Sequence, residues 1–202
     1  MTDHWQNVYA TKGEQDVSWF QDTPTISLDL IAALSLPPEA AILDVGGGAS
    51  RLVDHLLDLG HRDLTVLDLS EAALATTRDR LGPRAAAIRW IVADVTRWTP
   101  ERSYAVWHDR AAFHFLTAEA DRAAYRDRLL RAVAPDGYAV VGTFAFDGPE
   151  RCSGLPVARY DADGLQNQFA PEFEMTDSRR DIHATPWGAE QRFQFATFRR
   201  RN

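Results

Sequence analysis

The chain has 202 residues, 45% of them hydrophobic and 25% charged, with 29 acidic against 22 basic residues and a formal net charge of −7. That size and balance suit one globular domain with a substantial apolar core, and exclude a general nucleic-acid binder, which needs a basic face to release phosphate counterions; Arg199-Arg200-Arg201 reads as a polar C-terminal end. A single cysteine permits no internal disulfide, and a polar N-terminus with no apolar run near the ~20 residues of a bilayer span points to a cytoplasmic protein without membrane contact.

In chain order, the first stretch, 1–20, is polar but carries Trp5, Tyr9, Trp19 and Phe20. Trp5, Val8 and Tyr9 fall at i, i+3 and i+4 and share one face of a short helix, suited either to clamping an arm onto the domain or to covering a ligand. Thr23-Pro24-Thr25 opens a helix that runs through Ile26, Leu28, Leu30, Ile31 and Leu34 and stops before Pro37-Pro38. A strand at 41–45 leads into Gly46-Gly47-Gly48-Ala49-Ser50, then a helix at 51–59 that Gly60 ends. Leu64-Thr65-Val66-Leu67-Asp68 is a second apolar run ending in an acid. Ser70 caps the next helix, 71–81, and Gly82-Pro83 terminates it.

A third strand, 88–92, ends near Asp94, and a fourth, Tyr104-Ala105-Val106-Trp107, runs into His108-Asp109-Arg110. A helix over 118–133 breaks at Pro135-Asp136-Gly137, and the fifth strand is 138–144. Short apolar runs alternating with helices predict a parallel sheet covered on both faces, with right-handed crossovers. After Phe144 the rhythm changes. Residues 147–170 are rich in Gly, Pro and polar side chains, with one helix after Tyr160 that Asp161 can cap. Two strand-like runs, 173–184 and 192–199, joined by Pro186-Trp187-Gly188, make an antiparallel pair.

The strand–glycine–helix unit at 41–57 is how an open α/β sheet holds a nucleotide-like cofactor, in the crevice at the carboxyl ends of its strands. Asp44, Asp68 and Asp94 mark three such ends. Asp68 sits where a carboxylate can accept both ribose hydroxyls, a position that dinucleotide enzymes also use. Asp44 discriminates. An acid directly before the glycines is repelled by a pyrophosphate, and suits a cofactor bearing an ammonium and a sulfonium. The turn also lacks the Gly-x-Gly-x-x-Gly spacing of a pyrophosphate site.

Asp44-Val45-Gly46-Gly47-Gly48, then Asp68, then Ala93-Asp94-Val95, and finally the terminal strand pair, resemble the class I S-adenosylmethionine-dependent methyltransferases over nearly the whole chain. Ser50 stands where many members have a third glycine. The resemblance implies one Rossmann-like domain over 1–202: a mostly parallel seven-stranded sheet with helices on both faces and an antiparallel C-terminal hairpin strand. It implies an arm over 1–24 that covers the cofactor, with Tyr9 and Trp19 against it. Gly46 and Gly48 would admit the methionine part, Asp44 would lie near its amino group, and Asp68 with Leu69 would take the ribose. Asp94 would accept from the adenine amino group, with Val95 beside the ring; a turn cap is the plainer use of Asp94. The cofactor implied is S-adenosylmethionine, released as S-adenosylhomocysteine.

Methyl transfer from a sulfonium needs alignment and exclusion of water more than a general base. In the segment from Val106 to Leu116, the Trp107-(His108)-Asp109-Arg110 core is similar to its counterpart in the thiopurine-methyltransferase-like and tellurite-resistance-like small-molecule branches. On that likeness His108, Asp109 and His114 form the candidate catalytic set, the histidines as bases, and Arg110 edges the substrate pocket. The plainer alternatives are a structural Asp109-Arg110 pair and partly buried histidines. Phe146, Arg159 and Tyr160, in the loop and helix at 147–170 and just before them, form a second substrate wall that His183 reaches from the penultimate strand. Cys152 reads as an ordinary thiol, and the six histidines are too scattered for a metal site. The segment 5–20 is also similar to the first segment of small protein-lysine methyltransferases that act on elongation factor or citrate synthase. A small-molecule acceptor is expected, with a protein side chain, a non-catalytic cofactor-binding subunit and a nicotinamide-dependent reductase as alternatives.

Overall fold

The computed structural model describes residues 2–201. The apolar runs form strands β1 (Ile42–Val45), β2 (Leu64–Asp68), β3 (Ile88–Val92), β4 (Tyr104–Arg110) and β5 (Val133–Phe144). Two-residue strands β6 (Arg151–Cys152) and β7 (Leu155–Pro156) make a small separate hairpin within the segment expected to be loop, and β8 (Phe173–Ala184) and β9 (Glu190–Arg200) complete the main sheet. Its order is β3-β2-β1-β4-β5-β9-β8. Pairing is parallel from β3 through β5 and antiparallel in β5–β9 and β8–β9. The sequence therefore yields the parallel α/β sheet that its periodicity predicts and the seven strands that the resemblance implies, with the C-terminal pair appended beside β5.

The helices are α1 (Thr2–Thr11), α2 (Thr25–Ala33), α3 (Leu52–Asp58), α4 (Glu71–Leu81), α5 (Glu119–Ala132) and α6 (Ala162–Phe169). Ser70 caps α4 by accepting from the Ala73 amide, and Asp161 caps α6 by accepting from the Gly164 amide. Successive strand side chains point to opposite faces, which divides the core in two. On one face Ile42, Val106, Val140 and Phe193 pack against Leu30 and Ile31 of α2, Leu52 and Leu56 of α3 and Leu74 of α4. On the other, Leu43, Val45, Trp107 and Val141 pack against Tyr125 and Leu129 of α5 and Leu165 and Phe169 of α6. The edge strand β8 alternates exposed Glu174, Arg180 and their neighbours with half-buried positions, a charged edge that discourages further strand pairing. Among the described residues no helix is long and apolar enough to cross a membrane.

One difference from the sequence reading positions the site. β4 does not stop at Trp107 but continues to Arg110, because it is paired on both sides: Asp44 opposite His108 and Val45 opposite Asp109 in β1, and Arg110 opposite Gly142 in β5. His108, Asp109 and Arg110 are therefore strand residues, and consecutive ones face opposite ways.

Candidate active site

At the end of β1 the backbone turns through Gly46 (φ 68) and Gly48 (φ 30), in the left-handed region that glycine enters without a side-chain clash. A Cβ on Gly46 would lie 2.8 Å from the Ala112 side chain, and one on Gly48 would lie 2.7 Å from Asp68 Oδ2. Both glycines keep bare backbone where the ends of β1, β2 and β4 converge. A cavity of about 160 Å³ opens there, lined by Val45 and Gly46 at the end of β1, Asp68 and Leu69 at the end of β2, Asp94, Val95 and Thr96 after β3, and Arg110 to Ala112 at the end of β4. Phe115, Leu116, Asp121 and Cys152 also reach it, and Trp5, Tyr9 and Trp19 cover it from the N-terminal arm.

Asp68 is buried, and Oδ1 accepts from the Ser70 amide at 2.8 Å. Burial, reinforced by the nearby Asp44 charge and opposed by the amides of Ser70, Gly48 and Leu69, pushes its carboxyl up to about 7. A carboxylate in that state gains from further donors, as a ribose diol would supply. Asp94 uses Oδ1 to accept from the Thr96 amide (2.9 Å) and hydroxyl (2.7 Å), so it is a turn cap as well as a cavity residue. The residues at this end fit a nucleoside.

The arm is fastened at several points. Gln6 Oε1 accepts from the Ser70 hydroxyl (3.1 Å) and the Ala72 amide (3.2 Å) at the start of α4, and His4 Nε2 lies 3.1 Å from Ser153 Oγ in the β6–β7 turn. Glu14 accepts from Arg51 (2.8 Å) and Arg80 (3.0 Å). Over the cavity the rings form an aromatic wall: Trp5–Phe115 at 5.0 Å, Trp5–Trp19 at 5.5 Å and Tyr9–Trp19 at 6.2 Å between centroids. Trp19 Nε1 donates to the Tyr9 hydroxyl at 3.0 Å. Burial pushes the Tyr9 phenol well above its ordinary value, so it is a neutral hydroxyl.

Arg110 ends β4 and lines both this cavity and an adjoining recess of about 60 Å³ bounded by Asp44, Gly47, Ser27 and His108. Its Nη1 donates to the Trp19 carbonyl at 3.1 Å, and its guanidinium lies 4.7 Å from the centre of the Phe193 ring. Its Nε and Nη2 are buried and have no hydrogen-bond partner among the described residues. Burial lowers the guanidinium to about 10, against the attraction of Asp181 and Asp44, and leaves it charged at neutral pH.

The expected catalytic set does not assemble. His108 faces α2: Nδ1 donates to Asp44 Oδ1 at 2.7 Å and Nε2 lies 2.9 Å from Ser27 Oγ, so both ring nitrogens are engaged. The same contact turns Asp44 inward, with one carboxylate oxygen used by the fold. Asp109 faces the opposite side, toward α5, where Trp107 Nε1 donates to the Tyr125 hydroxyl (2.8 Å) and that hydroxyl donates to Asp109 Oδ2 (2.6 Å). Asp109 also accepts from the amides of Ala112 (2.8 Å) and Phe113 (3.0 Å), which fixes the turn carrying Ala111, Ala112 and Phe115 into the cavity wall. Its carboxyl is raised to about 6 by burial, opposed by these donors. His114 is fully buried between Phe115 and Phe144. Its Nδ1 accepts from the Phe144 amide at 3.4 Å, and burial together with the charge of Arg110 drives the ring down to about 3. It is not part of the cavity wall.

The second substrate wall is also displaced. Phe146 is 58% exposed. Arg159 holds its own loop, donating to the Phe146 (2.8 Å) and Gly148 (3.1 Å) carbonyls and pairing with Glu150. Tyr160 packs into the core on Phe113, and His183 donates to the Ser18 carbonyl at 2.8 Å, bracing the arm from outside. The β6–β7 hairpin brings in Cys152 instead, its thiol raised to about 11 by burial. Phe115 and Cys152 fall within the 107–116 and 147–170 segments expected at the substrate end, although neither side chain was singled out there; Asp121 carried no positional signal in the sequence. Among the described residues no cluster of three or more His, Cys, Asp or Glu could hold a metal ion.

The methyltransferase domain family matches residues 42–137, the span from β1 to the start of β5. The eEF1A lysine and N-terminal methyltransferase of Danio rerio is 29% identical over 122 residues, 60% of this chain and 17% of that protein. Nodulation protein S of Sinorhizobium fredii is 30% identical over 111 residues, 55% of this chain and 50% of its own length. The chain spans about a fifth of the length of the first curated relatives it matches. Among solved structures, one from work on the conversion of a disulfide bond into a thioacetal group during echinomycin biosynthesis superposes with a TM-score of 0.79 at 22% identity, covering 100% of this chain and 93% of that one. The N-methyltransferase NodS from Bradyrhizobium japonicum, in complex with S-adenosylhomocysteine, gives 0.75 at 16% identity, covering 100% and 99%. The 1,6-didemethyltoxoflavin-N1-methyltransferase of Burkholderia thailandensis, with its substrate and S-adenosylhomocysteine bound, gives 0.71 at 23%, covering 100% and 84%. Residues 42–137 thus match a methyltransferase domain, and the whole chain shares the fold of these methyltransferases.

Proposed function

We propose that this protein transfers the methyl group of S-adenosylmethionine to a small-molecule acceptor by in-line displacement. The observation that carries the reading is one cavity with two acids, Asp68 and Asp94, at one end, Arg110 at the other, and an aromatic arm across the opening. When bound, S-adenosylmethionine supplies an electrophilic methyl on its sulfonium, which passes to an acceptor lone pair as the carbon–sulfur bond breaks and leaves a neutral thioether. Asp68 and Leu69 hold the ribose, Asp94 and Val95 the adenine, and Gly46 and Gly48 give backbone room for the methionine part. Trp5, Tyr9 and Trp19 exclude water and fix the approach, which is where most of the rate of such a reaction comes from. His108, Asp109 and His114 are committed to the fold, so the acceptor arrives deprotonated or releases its proton to solvent.

A cavity whose opening is narrowed by the aromatic arm supports a small acceptor. The likeness to eEF1A lysine and N-terminal methyltransferases favours a protein acceptor as the second reading, but a lysine ammonium entering beside Arg110 meets like charge. Labelled S-adenosylmethionine incubated with the protein, and separately with a small-molecule extract or a desalted protein lysate, tests this. Label in the small-molecule fraction with release of S-adenosylhomocysteine is expected. A discrete labelled protein band would overturn the small-molecule reading, and cofactor binding without release under any acceptor would favour a non-catalytic subunit.

A further inference from the structure

We propose that the acceptor is an anion, its carboxylate or an equally planar oxyanion gripped by the Nε–Nη2 edge of Arg110. This rests on the methyl-transfer reading and names the acceptor class of that site. Arg110 spends Nη1 on the Trp19 carbonyl, while Nε and Nη2, the two nitrogens of one side of the guanidinium, are buried and unpartnered. A charged group taken out of water with donors unmet is unfavourable, and buried charges in folded proteins are as a rule paired. Among the described residues no carboxylate fills the role. Asp44 Oδ1 accepts from His108, Asp109 faces the other side of the sheet, and Asp181 attracts the guanidinium without hydrogen-bonding it.

The Nε–Nη2 edge presents two parallel N–H groups, the geometry that holds a carboxylate through both oxygens. Its surroundings select for the acceptor's charge. The guanidinium sits toward β9, over Phe193, with Cys152 and Phe115 in the same cavity, whereas Asp68 and Asp94 follow β2 and β3 on the opposite side of β1. The aromatic wall of Trp5, Tyr9, Trp19 and Phe115 supplies flat apolar surface to the rest of an acceptor with its anionic end on Arg110.

Benzoate and the neutral isostere benzamide serve as probes, titrated by calorimetry or saturation-transfer NMR onto the full chain saturated with S-adenosylhomocysteine. Benzoate is expected to bind at least about tenfold tighter than benzamide, since a bidentate charged pair is lost in the amide. Arg110→Gln should erase that preference while leaving affinity for S-adenosylhomocysteine within about twofold, and Arg110→Lys, which keeps charge but not the fork, should restore part of it. The ligand-free Arg110→Gln protein should melt no lower than the wild type, because an unmet buried charge has been removed. Benzoate failing to bind at millimolar concentration, or binding the Gln variant as well as the wild type, overturns the proposal. So does an Arg110→Gln protein that loses S-adenosylhomocysteine about tenfold while holding 5′-methylthioadenosine normally, since the guanidinium then serves the cofactor's own carboxylate. A wild-type chain that binds no S-adenosylhomocysteine refutes methyl transfer instead, and the benzoate comparison is then read without it.

Discussion

His108 and Asp44 meet across the β4–β1 ladder, Nδ1 to Oδ1 at 2.7 Å, opposite each other in register and on the same face of the sheet. The acid before the glycines and the histidine within the fourth strand are thus partners of one another, closed off behind by Ser27 of α2. The pair holds the ends of β1 and β4 together, and those ends carry Gly46 and Arg110 into the cavity.

Replacing His108 should therefore damage the fold before the chemistry. His108→Ala leaves a buried carboxylate oxygen without its donor and is expected to destabilise the protein by roughly 2–3 kcal/mol, read by chemical denaturation. The pH dependence of whatever turnover remains should match the wild type. Disappearance of an acidic limb in that profile would restore His108 as a base.

Asp68 links ligand binding to protons. Its carboxyl is raised to about 7 in the fold, against roughly 4 in an unfolded chain, so it favours the folded state at low pH. That contribution fades as pH rises through about 4 to 7. The stability of the ligand-free wild type minus that of Asp68→Asn should fall across this window and level off above it. Binding of S-adenosylhomocysteine near pH 6 should release close to one proton, measured by calorimetry in buffers of different ionisation enthalpy, and the Asn variant should release none. Affinity should drop about tenfold or more in Asp68→Ala.

Two glycines with positive φ separate strain from function. A methyl added to Gly60 (φ 91) would meet nothing within 4 Å, whereas one on Gly48 (φ 30) would press against Asp68 Oδ2 at 2.7 Å and Ala73 at 3.1 Å. Gly60→Ala should lose about 1–2 kcal/mol of stability with cofactor affinity unchanged. Gly48→Ala should lose a similar amount and also weaken S-adenosylhomocysteine by about tenfold. Equal affinities in the two variants would remove Gly48 from the cofactor's contact surface.

The arm provides a fourth measurement. Gln6 ties α1 to the start of α4, two residues beyond Asp68, and Gln6→Ala should accelerate amide exchange in α1 by about tenfold while leaving the sheet protected. Bound S-adenosylhomocysteine should slow that exchange again in both proteins. Exchange in α1 that ignores the ligand would mean that the arm packs on the domain without covering a cofactor.

Much of this was readable along the chain. Ser70 and Asp161 announce the caps of α4 and α6, and the alternating phenylalanines of β9 announce an antiparallel strand, because caps and periodicity are local properties. The acids after β2 and β3 were legible for the same reason: a strand that ends in an acid displays it at the sheet's carboxyl edge. The acceptor end was not. Phe146, Arg159, Tyr160 and His183 lie close to that end in sequence order, yet the β6–β7 hairpin folds Cys152 into the wall and leaves Phe146 outside.

By itself, then, the sequence determined a parallel α/β sheet and a glycine turn flanked by acids, since each follows from residue type at short spacing. Only the tertiary structure decided what Trp107 to His114 does. The length of β4 is set by its two neighbours, β1 and β5, and those pairings carry it three residues past Trp107. Strand alternation then sends His108 to Asp44, Asp109 to Tyr125 and Arg110 to the cavity, so that among residues 108–110 only Arg110 has donors left for a substrate.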